Sequence, residues 1–173
     1  MINLQNNPKK IARLSLISAL ALITFTAENL LPPLLFFAPG TKIGLASVFV
    51  TLAFILYGKT EAIIVLFIKC ILGAVFSGNI FTLYYSVPAG LVSLIITIIL
   101  YNTVYPKIGV IAVSIIAAIF HNIVQIIMAA ILIKTFMILS YILIVAIAGV
   151  IAGIITGVCL YFMIKYIPQK YLV

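Results

Sequence analysis

The sequence predicts an all-α integral membrane protein, a polytopic bundle of six transmembrane helices, and three observations carry that prediction. Of the 173 residues, 66% are apolar and 7% charged, with a mean hydropathy of +1.44. Ten Lys/Arg, two Glu and no Asp cannot coat the water-facing surface that a soluble domain of this length needs, whereas a bilayer removes that need. The apolar runs are also cut, at intervals suited to bilayer crossings, by Pro, Gly and Asn. The length suggests one domain, residues 1–173.

The spans follow in order. The first covers about Ile11–Leu31 and stops at Pro32-Pro33. Lys9, Lys10 and Arg13 ahead of it resemble a signal peptide, but Phe25-Thr26-Ala27 is a poor cleavage site, so a retained helix is expected. A loop, Pro32–Lys42, precedes a short second span, about Ile43–Tyr57. Gly58-Lys59-Thr60 reads as a tight turn into the third span, about Glu61–Phe76, which ends at Ser77-Gly78-Asn79. The fourth covers about Phe81–Val104 and stops before Pro106-Lys107; the fifth covers about Gly109–Ile133 and the sixth about Leu139–Ile167.

Charge sets the expected direction. With the N-terminus inside, Lys9, Lys10, Arg13, Lys59, Lys107, Lys165 and Lys170 are cytoplasmic and Lys42 and Lys134 external, which places both termini in the cytoplasm. The basic residues are scattered over loops rather than gathered in a patch, so nucleic acid is not an expected partner. Cys70 and Cys159 lie in apolar runs without metal-ligand spacing and read as small buried hydrophobes. Gly149, Gly153 and Gly157, four apart, form a column for close helix packing, and Ser15 and Ala19 form a smaller one open to a second protein.

Against this background a few polar residues stand out. A charge at the bilayer centre costs about 2.5–3.5 kcal/mol on insertion scales, so such groups face a protein interior or a cavity. At about 1.5 Å per residue, Glu28 lies roughly 25 Å from the inner surface, Lys69 roughly 12 Å and His121 roughly 18 Å. Gln125 is one turn beyond His121 on the same face, with Asn122 beside it. Asn29, Lys42 and Asn79 fall at the outer boundary. A pocket opening outward accounts for this distribution, with Glu28, Asn29, Lys42, Lys69, Asn79, His121, Asn122 and Gln125 as candidate ligand contacts. Each has a plainer reading. Glu28 and Asn29 can mark a helix end, Lys42 can be a solvated loop lysine, and the amides and His121 can be interhelical hydrogen-bonders. Glu61 beside Lys59 reads as a helix-start charge.

A lysine, a histidine and amides at such depth suit an anion or a polar ring held by charge-assisted hydrogen bonds, and Glu28 could pair with Lys69 or take a donor on the ligand. No catalytic residues, metal ligands or cofactor are assigned, because the chain has no HExxH, no P-loop, no Ser/His/Asp order and no acidic cluster. Any active transport therefore needs energy from a partner.

The run Glu28-Asn29-Leu30-Leu31-Pro32-Pro33, then Pro39-Gly40-Thr41-Lys42-Ile43-Gly44-Leu45-Ala46, then Lys69-Cys70-Ile71-Leu72-Gly73, then His121-Asn122-Ile123-Val124-Gln125 resembles the bacterial Gx transporter family, also labelled heptaprenyl diphosphate synthase component I. Where that pattern has Asn after Gly-Leu-Ala, this chain has Ser47. The family is similar in turn to the substrate-binding S components of energy-coupling factor (ECF) transporters. That resemblance implies six helices, a vitamin-like ligand near the outer face capped by the Pro32–Lys42 loop, a coupling subunit docked on the Ser15 and Ala19 face, and two cytoplasmic ATPases. A basic midplane favours an anionic ligand: a flavin phosphate, another phosphorylated cofactor or a prenyl diphosphate. The synthase label supports a second role, a non-catalytic accessory in isoprenoid or quinone synthesis, since synthases of that kind hold Mg²⁺ on aspartates and this chain has none. A membrane scaffold is a third, disfavoured by the cost of burying Lys69 without use.

Overall fold

A computed structural model describes residues 8–30 and 44–167, with the side chains of Asn29 and Leu30 outside the description. Six α-helices follow one another, α1 Pro8–Leu30, α2 Ala46–Tyr57, α3 Lys59–Phe76, α4 Phe81–Thr103, α5 Val110–Ile133 and α6 Ile142–Tyr166, with a 3-10 helix, Phe136–Tyr141, leading into α6. There is no strand among the described residues.

Four stretches are long and apolar enough to cross a membrane: Pro8–Glu28, Phe81–Thr103, Val110–Ile133 and Phe136–Tyr166. The other two helices depart from that standard for visible reasons. At 12 residues, α2 reaches only about 18 Å, and the 18-residue α3 carries Lys59, Glu61 and Lys69. The chain is nevertheless built as a multi-pass membrane protein, because its polarity is inverted. Leu16, Ile23, Phe81, Ile99, Ile131, Ile151 and Phe162 are exposed on the outside, while Glu28, Lys69, Asn122 and Gln125 are buried. Only an apolar surround makes that arrangement favourable.

The helices alternate in direction. The Lys10 Nζ lies 2.7 Å from Glu61 Oε1, which puts the start of α1 beside the start of α3. Phe54 meets Tyr101 edge-on at 5.5 Å, joining the end of α2 to the end of α4. A core of Ile55, Leu66, Val110 and Leu160 draws the start of α5 and the end of α6 to the same level. Among the described residues, Lys9, Lys10, Arg13, Lys59, Lys107 and Lys165 thus sit at one end, hereafter the basic end, and Lys134 at the other.

Element boundaries shift slightly from those read in the sequence. Gly58 alone makes the turn between α2 and α3, at φ +105°, so Lys59 and Thr60 already belong to α3. Leu139–Tyr141 are 3-10 rather than α-helical.

The α5–α6 pair is the closest packed. A Cβ on Gly149, Gly153 or Gly157 would stand 2.9, 2.4 or 2.8 Å from the Cα of Ile119, Ile115 or Ile111 respectively. The column therefore receives the backbone of α5, and any side chain there would separate the two helices. Ser15 and Ala19 face outward, exposed, with Ser18 turned inward.

Candidate functional site

Five helices converge on a cavity toward the end opposite the basic one. Phe25 and Glu28 come from α1, Ala46 and Ser47 from the start of α2 with Gly44 just before it, Lys69 from α3, Ser86 from α4, and His121 and Gln125 from α5. The space between these residues, open solvent at its mouth included, is about 440 Å³. Lys69 lies ten residues after Lys59 and His121 eleven after Val110, so both sit roughly 15 Å along their helices, at mid-bundle.

Glu28 has a defined structural task. Gly44 takes φ +76°, turning the chain so that α2 begins against α1. The Leu45 N–H then donates to Glu28 Oε1 at 2.6 Å. A carboxylate at that position satisfies a backbone donor that the helix leaves open and complements its dipole.

Lys69 is 5% exposed, yet among the described residues its ammonium has no hydrogen-bond or ion-pair partner. Its Nζ stands over the Phe25 ring, 5.8 Å from the centroid. A ring face supplies part of what the ammonium loses on leaving water, but none of the three hydrogen-bond acceptors its protons call for. Across the cavity the Ser86 hydroxyl is likewise buried without a partner among the described residues. His121 and Gln125, one helical turn apart, complete the wall. The Lys69 cation and the hydrogen-bonding groups of Ser86, His121 and Gln125 thus face a shared space, with the Glu28 carboxylate at its edge held by the Leu45 N–H, a chemistry suited to an anionic group that also carries a donor.

Two candidate contacts read from the sequence stand elsewhere. Asn122 is buried but lines no part of this cavity; its Nδ2 donates to the Val145 carbonyl at 3.4 Å, joining α5 to α6. One residue on from His121 is about 100° around the helix, which turns Asn122 toward α6. Asn79 is exposed, and its Oδ1 accepts the Phe81 N–H at 3.1 Å in the turn that leads into α4. Lys42, the Asn29 side chain and the expected cap, Pro32–Lys42, lie outside the described residues. Among those described, no three His, Cys, Asp or Glu approach one another closely enough to hold a metal.

The structure adds groups that sequence reasoning did not single out. Two further cavities adjoin the first through Ser47: one shares Lys69 and His121 with it and reaches Thr51, Ser93 and Thr97, and the next continues to Ser114 and Thr156. The available signal was the i, i+4 pairing of hydroxyls, Ser47 with Thr51 and Ser93 with Thr97, which puts each pair on one helix face.

The family described as heptaprenyl diphosphate synthase component I matches this chain over residues 17–163. No curated protein matches it.

Proposed function

The chain belongs to the heptaprenyl diphosphate synthase component I family, and from that premise we propose that it is a membrane-embedded binding subunit for a small anionic cofactor or precursor, comparable to the S component of an ECF transporter. Lys69 carries the reading. A buried ammonium without a carboxylate partner is costly, and breaking or omitting a pair in a dry interior costs several kcal/mol. The cost is offset when an anion enters the cavity and takes the ammonium, Ser86, His121 and Gln125 as donors. The likeness to S components supports a vitamin or its phosphate as that anion.

The remaining parts of the proposal follow from charge and exposure. Among the described residues, six basic residues at one end against one at the other favour a cytoplasmic basic end, and so cytoplasmic termini, in a bacterial plasma membrane. The cavity then opens to the outside. With no nucleotide-binding motif of its own, the chain relies on a coupling subunit and cytoplasmic ATPases, and the exposed Ser15 and Ala19 on α1 offer small residues for close helix contact.

The family description supports a second reading, a non-catalytic partner in prenyl diphosphate synthesis. Catalysis by this chain alone is disfavoured: it has no Asp, and Glu28 and Glu61 sit at opposite ends of the bundle. Purification in mild detergent, followed by mass spectrometry of co-purifying small molecules with Lys69→Ala as control, separates the readings. A water-soluble anion lost in the variant supports the binding subunit. A prenyl diphosphate lost in the variant moves the second reading first. A ligand retained in full by Lys69→Ala removes the case for both as argued from this site.

A further inference from the structure

Nearer the basic end than the Lys69 cavity, four helices enclose a separate and smaller space. Ser47 and Thr51 of α2, Ser93 and Thr97 of α4, Ser114 of α5 and Thr156 of α6 border it. Six of its ten lining residues therefore carry a hydroxyl, and the other four are Val, Ala and Leu side chains. It has room for one water, at most a pair, and far too little for an organic solute.

These hydroxyls do not satisfy one another. Thr97 Oγ1 donates to the Ser93 carbonyl at 2.9 Å and Thr156 Oγ1 to the Gly153 carbonyl at 3.2 Å. Ser47 Oγ likewise donates to the Gly44 carbonyl. Each of the three has committed its one proton within its own segment and meets its neighbours only as an acceptor. Three acceptors, on α2, α4 and α6, cannot bond one another. Among the described residues no hydrogen bond joins any of the six hydroxyls to another helix. Buried polar groups that converge in this way from different elements are as a rule joined by a bridging molecule.

The chemistry selects that molecule. The three acceptors lack a donor, and water supplies two protons while its own lone pairs accept from Thr51, Ser93 or Ser114. A metal ion would also suit acceptors, but no carboxylate borders the space. The Lys69 ammonium, moreover, lines the neighbouring cavity that shares Ser47, Thr51, Ser93 and Thr97 with it. An ion would enter the bundle beside a like charge and without a counter-charge. We infer that this space is a binding site for ordered water, and that the water is the hydrogen-bonding joint among α2, α4, α5 and α6. The joint matters most for α2, which at 12 residues is the shortest α-helix among the described residues. Its first turn carries Ser47 into the Lys69 cavity, next to the Leu45 N–H that Glu28 accepts. The water thus positions one wall of the anion cavity. The inference does not depend on an anion binding there.

Infrared difference spectroscopy in detergent, with ordinary against oxygen-18 water, tests the site directly, because the isotope shifts the O–H stretch of bound water and leaves side-chain hydroxyls in place. A sharp isotope-shifted band of the parent should be lost in Thr156→Val, whose threonine borders this space and neither of the other two cavities. It should persist in Thr103→Val, an exposed threonine with the same kind of bond to its own helix. Ser114→Ala repeats the measurement should Thr156→Val fold poorly. Isotope-shifted spectra that coincide for the parent and these cavity variants overturn the site. A band that vanishes when choline replaces sodium and potassium assigns the space to a cation and overturns the water. Thermal unfolding tests the joint. Thr97→Val and Thr156→Val should each lower the melting temperature by a few degrees, and together by clearly less than the sum, since either one breaks the same bridge. Shifts that add, or melting temperatures that do not fall, overturn the joint.

Discussion

The Lys69 ammonium stands over the Phe25 ring, 5.8 Å from its centroid, and that ring lies where a Cβ on Gly73 would be, 2.3 Å from its nearest carbons. Three residues on two helices therefore fix the cation: the bare backbone of Gly73 admits the ring, and the ring supports the charge. The charge itself contributes nothing to folding that an apolar side chain would not. Lys69→Met is expected to insert and fold with a melting temperature equal to or above the parent, since replacing a buried charged group by a hydrophobe of similar volume is often neutral or stabilising by about 1–4 kcal/mol. Binding of the co-purifying anion should fall at least a hundredfold. Calorimetry in detergent and ligand quantification check both halves, and a Lys69→Met protein that melts well below the parent contradicts this account.

Gly73→Ala tests the support rather than the charge. The added methyl overlaps the Phe25 ring and must displace it. Cation–π contacts that are desolvated contribute about 2 kcal/mol, and overpacking costs typically 1–3 kcal/mol. Affinity for the anion is expected to change several-fold with Lys69 itself intact. Gly109→Ala, where an added Cβ meets nothing within 4 Å, is the control and should leave both stability and affinity unchanged.

How much of this could be read from the sequence depends on the kind of signal. The six helices were legible because apolar runs broken by Pro and Gly are strong, local marks, and their ends moved by a few residues, as where Gly58 alone makes the α2–α3 turn and where Leu139–Tyr141 are 3-10. Lys69, Glu28, His121 and Gln125 stood out because charge and amides are rare at membrane depth, and the fold brings all four to one cavity. Rarity does not give direction, however. Asn122 is as conspicuous as His121 in the sequence, yet it faces α6 and bonds Val145. The hydroxyls in the two adjoining cavities had the opposite fate. Serines and threonines that bond their own helix are ordinary in apolar segments, so Thr97 and Thr156 carry no signal until four helices set them side by side.

The α5–α6 contact should be the least tolerant surface of the bundle. At Gly153 the obstacle to a side chain is the Ile115 Cα at 2.4 Å, and backbone cannot rotate aside as a ring can. Gly153→Leu is expected to abolish the folded bundle, and Gly153→Ala to lower stability by at least about 2 kcal/mol. Thermal unfolding in detergent reads both. A Gly153→Ala protein as stable as the parent would mean that α5 and α6 are not in backbone contact.

The Lys10–Glu61 pair, 2.7 Å apart, ties α1 to α3 at the basic end, and its two members are buried to different degrees, with side-chain exposures of 21% for Lys10 and 5% for Glu61. The lysine also lies over the Tyr57 ring at 5.7 Å. Removing either partner strands the other, and the penalty grows with the burial of what remains. Lys10→Met leaves the more buried carboxylate alone and should destabilise by about 2–4 kcal/mol. Glu61→Gln leaves a lysine that still reaches water and the tyrosine face, and should cost less, about 1–2 kcal/mol. The double variant should recover much of the loss, because an absent pair needs no desolvation. Thermal unfolding of the three variants gives the order directly, and a Glu61→Gln protein less stable than Lys10→Met would show that packing rather than the stranded charge sets the penalty.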